Sequence, residues 1–273
     1  MPDSRLAFRA CVPASGFRWI RRDDEGRWQL AQPPADWTAR DYEAADYDLE
    51  RPPIEYERAE QFYLAASEAE CPYPDDVLAG LRKTIVAPDL YLRFASERGA
   101  PFRIMELANR YGFMDDTVEG VEILDIDGES AAGLISAFGK VATARAEPVT
   151  SWLAEFGRTK WILRTWSRLK EERDPGKIRD FIENWYAAPI GGSLYFHLDA
   201  DDESIRGEMV AASLSDYIRI QLGLSLATIL HRQCPQCDTW FQVDARSGRP
   251  EKVFCSNACR MRAYRARKGR AVR

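Results

Sequence analysis

The chain has 273 residues, of which 45% are hydrophobic and 30% charged, with 38 Lys/Arg against 43 Asp/Glu and a net charge of −5. This apolar content suffices for a packed core, which excludes an intrinsically disordered chain. No stretch approaches the roughly 18 consecutive apolar residues of a membrane-spanning helix, and residues 1–10 contain no apolar signal segment. We therefore expect a globular cytoplasmic protein with no membrane partner.

The first 73 residues predict an irregular N-terminal lobe that contains one β-hairpin. Strand-like runs at 17–20 and 27–30 flank an acidic, turn-rich loop at 23–26. Two Pro-Pro pairs interrupt the chain after this hairpin. The sequence leaves open whether residues 1–73 form a separate domain.

Residues 74–231 are predicted to form a mainly helical body. Thr150 and Asp174 are the expected N-caps of two of its helices, and Pro175 suits the first position of the second. One strand is expected after the Gly-Gly pair at 191–192, over residues 193–198. The helices are predicted at 75–96, 103–111, 151–172, 176–187 and 209–231.

Residues 106–113 resemble the first helix and turn of a helix-turn-helix motif. The following stretch carries seven acidic residues, and no Lys or Arg occurs between Arg110 and Lys140. A recognition helix with this composition would be repelled by DNA phosphates. We therefore interpret the segment as a core helix followed by an acidic loop.

Four of the six cysteines form a C-x2-C pair and a C-x3-C pair separated by seventeen residues. In a reducing compartment, clustered cysteines favour metal binding over disulfides. Two such pairs can supply the four thiolate ligands that Zn²⁺ takes at tetrahedral geometry. The sequence therefore predicts one structural zinc ion, held by Cys234, Cys237, Cys255 and Cys259. The spacing of the second pair would place both cysteines on one face of the first turn of a helix.

The charge is distributed unevenly along the chain. From residue 231 to the C-terminus there are eleven Lys/Arg against three Asp/Glu, a net charge of +8, while the remaining 27 basic and 40 acidic residues give −13. An acidic body with a basic tail is typical of a chain whose tail binds a polyanion. Tyr264 could stack on a base or pack on the zinc core, and packing is the expectation. The candidate nucleic-acid contacts are Arg246, Arg249, Lys252, Arg260, Arg262, Arg265, Arg267, Lys268 and Arg270.

The run from Cys-Pro-Gln-Cys at 234–237 to Phe-Cys-Ser-Asn-Ala-Cys at 254–259 resembles a treble-clef finger. It is similar to the C-terminal finger of bacterial CGNR-type proteins, in which a larger helical domain precedes a four-cysteine module thought to bind DNA. That family continues its last ligand as Cys-Gly-Asn-Arg, whereas this chain has Cys-Arg-Met-Arg. The chain also resembles uncharacterised bacterial proteins with such a finger. The expected fold is mainly α with minor β, a helical body followed by a treble-clef zinc finger at 232–273.

These observations predict a zinc-finger nucleic-acid-binding protein, a bacterial transcriptional regulator that binds double-stranded DNA and whose body senses a ligand or mediates assembly. The alternative is a protein-interaction module whose basic helix docks on an acidic partner. An enzyme with a structural zinc finds little support, because the chain has only two histidines, His197 and His231, and no phosphate-binding glycine loop. The sequence leaves open DNA versus RNA, the ligand of the body and a homo-oligomeric state.

Overall fold

A computed structural model describes residues 5–22, 28–31, 33, 61–67, 82–114, 119–122, 143–185, 191–199, 204–243 and 251–270. The described residues form eleven strands and six helices. The chain divides into two compact units, each assembled from three separate stretches. The first unit comprises Met1–Ala87, Arg98–Glu155 and Ile190–Ile218, and the second comprises Pro88–Glu97, Phe156–Pro189 and Arg219–Arg273. The boundaries expected at residues 73 and 231 stay a prediction.

A five-stranded antiparallel sheet lies in the first unit. In spatial order its strands are β3 (Trp28–Leu30), β2 (Arg18–Arg22), β4 (Phe62–Ser67), β7 (Thr143–Pro148) and β6 (Glu119–Glu122). The β2–β3 pair, with Ile20 opposite Leu30, confirms the predicted N-terminal hairpin, although its loop at 23–27 lies outside the described residues. Ile20 and Leu64 are fully buried and anchor the sheet on the core.

A second, four-stranded sheet also belongs to the first unit. Its order is β5 (Arg82–Ile85), β1 (Arg5–Cys11), β9 (Ser204–Ala211) and β8 (Gly192–Asp199). β1 runs parallel to β9, and the other two pairs are antiparallel. β8 confirms the strand predicted at 193–198. Close packing explains the glycine before β8, because a Cβ on Gly191 would lie 2.9 Å from the Cβ of Ala212.

The helix predicted at 103–111 is confirmed as α2 (Pro101–Tyr111), which follows α1 (Leu90–Ser96). Gly112 ends α2 with a positive φ of 84°, and its N–H donates to the Ala108 carbonyl at 2.8 Å. Strand β6 then occupies 119–122, where a helix-turn-helix motif would place its recognition helix. In the described part of the chain, α2 is therefore followed by a strand and not by a recognition helix.

Of the two predicted N-caps, Asp174 is confirmed, whereas Thr150 is wrong because it lies inside the first turn of its helix. Helix α3 (Val149–Glu172) starts one residue before Thr150, and α4 (Pro175–Trp185) starts with the proline. The Asp174 carboxylate accepts the N–H groups of Gly176 at 2.9 Å and Lys177 at 3.2 Å. This is the N-cap expected of an Asp-Pro pair.

Two predicted helices are wrong in part. The segment 209–231 contains the end of β9, helix α5 (Leu214–Thr228) and strand β10 (Leu230–Gln233). The described end of 75–96 contains β5 before α1, and residues 75–81 lie outside the described residues. In both places pairing with a distant strand outweighs local helical periodicity. The fold therefore combines helices with two substantial sheets, more β-structure than the sequence predicts.

A membrane-spanning segment is not among the described elements. The longest described helix, α3, has 24 residues but includes several charged side chains, and none of the helices in the described part of the chain is long and apolar enough to cross a bilayer.

Candidate metal centre

The four C-terminal cysteines lie together in the second unit. The Sγ atoms of Cys237 and Cys255 are 3.5 Å apart, and Cys259 Sγ lies 3.6 Å from each of them. All four sulfurs lie within 4.8 Å of one another. Four sulfurs at about 2.3 Å from a tetrahedral zinc ion would be about 3.8 Å apart, so these separations suit a single ion. Among the described residues, this is the one cluster of potential ligands that could hold a metal.

The first cysteine pair is positioned by a β-hairpin. Strand β10 and strand β11 (Trp240–Val243) pair antiparallel, and the turn between them carries Cys234 and Cys237. The N–H of Cys234 donates to the Thr239 carbonyl at 3.0 Å, and the N–H of Asp238 donates to the Cys234 carbonyl at 2.8 Å. Asp238 has a φ of +58°, the left-handed conformation that Asp tolerates better than most residues. These bonds close a tight knuckle around both sulfurs.

The second pair sits at the start of helix α6 (Asn257–Arg270). Cys259 is in the first turn, whereas Cys255 precedes the helix by two residues. The prediction that both share that turn is therefore half right. The reason is Ser256, whose Oγ accepts the N–H of Cys259 at 3.3 Å and so acts as the N-cap.

A small apolar core surrounds the sulfurs. Cys234 and Cys259 are buried with Phe241 and Val243, and the partly buried Phe254 packs against them. Because so few apolar residues take part, the module has little hydrophobic stabilisation of its own, and a metal ion at the sulfurs would add a cross-link.

The thiols of the cluster have opposite acidities. The Thr239 hydroxyl, 3.3 Å from Cys237 Sγ, and the Thr239 backbone lower the pKa of Cys237 to about 6. Burial and the neighbouring cysteine side chains raise the pKa of Cys255 to about 12. Thiolates at this separation repel each other, so full deprotonation of the cluster requires a cation among the sulfurs.

A buried hydrogen-bond network fixes the hairpin within the second unit. His231 Nε2 lies 2.8 Å from Ser225 Oγ on α5 and 3.0 Å from the Tyr91 hydroxyl on α1, and the two hydroxyls also contact each other. The amide nitrogen of Gln242 on β11 donates to the Tyr91 hydroxyl at 2.9 Å and to Asp89 at 2.6 Å. The hairpin is therefore bonded to α5 and α1.

Of the two histidines, His231 has a described side chain, and its surroundings are structural. His231 is 5% exposed, and burial lowers its pKa to about 4, which keeps it neutral at neutral pH. It is not part of the cysteine cluster. His197 lies in strand β8, and its side chain is outside the described residues. Sequence reasoning missed Tyr91, Ser225 and Gln242, because the network is built around Tyr91, which lies more than 130 residues before its three partners.

The predicted basic contacts fall into three groups. Arg246 and Arg249 lie outside the described residues, as does the side chain of Arg270. Lys252 is exposed, with Nζ 5.1 Å from the centre of the Phe241 ring. The remaining predicted contacts are all exposed on α6, and they are Arg260, Arg262, Arg265, Arg267 and Lys268. The expectation for Tyr264 is wrong, because it is 55% exposed and not packed on the metal core.

A surface groove of about 650 Å³ lies at the α3–α4 hairpin of the second unit. Ile178 and Ile182 provide its apolar wall. Its other lining residues are Lys170, Arg173, Pro175, Arg179 and Glu183. Among its described lining residues there is no histidine, serine or cysteine.

Comparison with known proteins finds no relative: no family model, no curated protein and no solved structure matches the chain. The resemblance of residues 234–267 to CGNR-type fingers therefore stays an expectation from sequence. The features that bear on function are the cysteine cluster and the helix that begins there.

Proposed function

We propose that residues 232–273 form a treble-clef zinc finger that binds nucleic acid, within a transcriptional regulator. The observation that carries this proposal is the composition of α6. It begins at the cysteine cluster and presents five exposed Lys/Arg side chains, and no acidic residue occurs between Asn257 and Arg270. A hairpin that carries the knuckle, followed by a helix that carries the last cysteine, supports the treble-clef assignment.

Such a helix is poorly stabilised on its own. Like charges three residues apart repel, as at Arg262 and Arg265, and α6 has no carboxylate to form compensating i,i+4 pairs. Isolated helices of about 14 residues are marginal in water even with favourable sequences. The helix is instead anchored at its first turn by Cys259 and capped by Ser256. A helix that concentrates positive charge and thereby loses stability is expected where a polyanion binds.

The four thiolates fit Zn²⁺, which prefers sulfur ligands and tetrahedral geometry. Cys234, Cys237, Cys255 and Cys259 would hold it. A zinc ion there would supply a cross-link between the hairpin and α6, and four protein ligands leave no open position for catalysis. This supports a structural role for the ion.

The regulatory part of the proposal assigns sensing or assembly to the rest of the chain. The groove at the α3–α4 hairpin supports a small-molecule ligand, because cationic side chains flank an apolar wall there. Lys170, Arg173 and Arg179 would favour an anionic group, and Ile178 and Ile182 an apolar one.

The proposal is tested by titrating a labelled, arbitrary DNA duplex with the intact chain over a series of salt concentrations. We expect log K to fall by about 0.9 per neutralised phosphate with log salt. Replacing Arg260, Arg262, Arg265 and Arg267 together by Gln should weaken binding and make the slope shallower by about 3.6 at most.

A variant with the same change of charge is the matched control. Arg168, Lys170, Arg173 and Arg179 are exposed cations of α3, α4 and their connection. Their combined replacement by Gln should leave the slope of duplex binding unchanged. Equal losses in both variants would show that binding depends on total charge alone and would remove the special role of α6.

The second candidate is a protein-docking module. The exposure of Met261 at 44% and Tyr264 at 55% favours it, because apolar side chains on a basic helix suit an acidic protein surface as well. If the intact chain fails to bind duplex DNA and RNA at low salt, this candidate replaces the first.

A further inference from the structure

The outward face of α6 has a defined order of side chains. At about 100° per residue, Met261, Tyr264 and Lys268 lie within about 60° of one another on the helix surface. They point away from Cys259, whose side chain is buried in the metal core. All three are exposed. We call Met261, Tyr264 and Lys268 the central ridge.

Arginines lie on both sides of the central ridge. At the same 100° per residue, Arg260 and Arg267 lie about 70–90° from the middle of the ridge on one side. Arg265 lies about 70° from it on the other side, and Arg262 lies about 130° away, beyond Arg265. All four are exposed. The charge of α6 therefore forms two parallel flanks separated by a ridge with two apolar side chains.

This arrangement distinguishes between kinds of nucleic acid. A single strand has one phosphate backbone, for which one basic stripe is enough. The major groove of B-DNA is about 12 Å wide and is bordered by two backbones, and a helix with its side chains measures about 10–12 Å across. Two basic flanks match the two backbones, and the ridge between them would face the base pairs.

We infer that α6 binds in the major groove of duplex DNA, with the central ridge on the base edges and the two arginine flanks on opposite phosphate backbones. The inference rests on the proposed function and adds the type of nucleic acid, the groove and the residues that read it.

The side chains of the ridge suit base edges in that groove. The Lys268 ammonium can donate to the O6 and N7 acceptors of guanine, and Met261 can contact the methyl group of thymine. The Tyr264 hydroxyl can donate or accept, while its ring adds apolar contact. The flanks supply affinity without sequence information, so discrimination between sequences depends on the ridge.

The test begins with selection of a preferred duplex from a pool of random sequences by the intact chain. Met261→Ala and Tyr264→Ala should each lower the preference for the selected duplex over a scrambled one by about tenfold, with the salt slope unchanged. Alanine favours helix and both positions are exposed, so far-UV circular dichroism should show α6 intact in both variants.

Methylation interference on the same duplex identifies the groove in which α6 binds. Methyl groups at guanine N7, in the major groove, should block binding, whereas methyl groups at adenine N3, in the minor groove, should have no effect. The single-stranded form of the selected sequence should bind more weakly than the duplex.

The outcomes separate the inference from the proposed function. Salt-dependent binding that is insensitive to guanine N7 methylation and to both alanine variants overturns the major-groove inference and leaves nucleic-acid binding in place. Tighter binding to the single strand also overturns it. Absence of salt-dependent binding to any duplex or single strand overturns both.

Discussion

At the scale of single residues, His231 shows how one side chain joins the finger to its support. Its ring contacts hydroxyls on α5 and α1, Ser225 and Tyr91, while its own strand leads directly into Cys234. In the sequence, His231 lies three residues before Cys234. The sequence does not reveal Tyr91 as a partner, because a hydrogen bond across 140 residues leaves no local pattern.

Burial of His231 predicts a specific pH dependence. The pKa of the folded state is about 4, below the ordinary value of 6.5, so protonation favours the unfolded chain. The stabilisation is therefore complete above about pH 6.5, is lost as pH falls towards 4, and amounts to about 3 kcal/mol. Urea unfolding at fixed metal concentration should show a shallower pH slope for His231→Gln than for the wild type.

His197→Gln is the matched control for that measurement, because His197 is the other histidine of the chain. Cysteine protonation affects all three proteins, so the difference in slope isolates His231. Identical slopes for the wild type and His231→Gln would contradict the buried, neutral imidazole.

At the scale of elements, predictability follows the strength of local signals. Helices α2 and α4 are predictable because Gly112 and Asp174-Pro175 mark their ends with local chemistry. The division of 209–231 into strand, helix and strand is not, because β9 forms through pairing with β1, about 200 residues away. The cysteine cluster is predictable since its spacing alone carries the metal chemistry.

Helix α6 is the element that depends most on the metal. Without the ion, its charge repulsion is opposed by little besides the Ser256 cap, so Cys259→Ser should lose zinc and the helical signal of α6. The loss corresponds to at most the 14 residues of that helix and is measured by far-UV circular dichroism. Cys71→Ser, which changes a cysteine outside the C-terminal pairs, should retain both. Retention of the full helical signal by a zinc-free Cys259→Ser variant would contradict the metal-anchored helix.

At the scale of the whole molecule, the finger is not an independent appendage. The N–H of Trp240 donates to Ser96 Oγ at 2.9 Å, and Gln242 donates to Asp89, so β11 is bonded to both ends of α1. The second unit thus joins α1 with residues more than 130 positions later in the chain. The split between an acidic body and a basic tail is visible in the sequence, whereas this assembly is not, because it depends on tertiary contacts.

The central claim is that a metal ion at the four cysteines presents α6 to DNA. The most direct test is anisotropy of a labelled duplex titrated with the zinc-loaded chain, the chain stripped by a chelator, and the stripped chain reloaded with one equivalent of zinc. We predict that stripping reduces binding to the level of the four-arginine variant and that one equivalent of zinc restores it. Equal binding by the loaded and stripped chains would contradict the account.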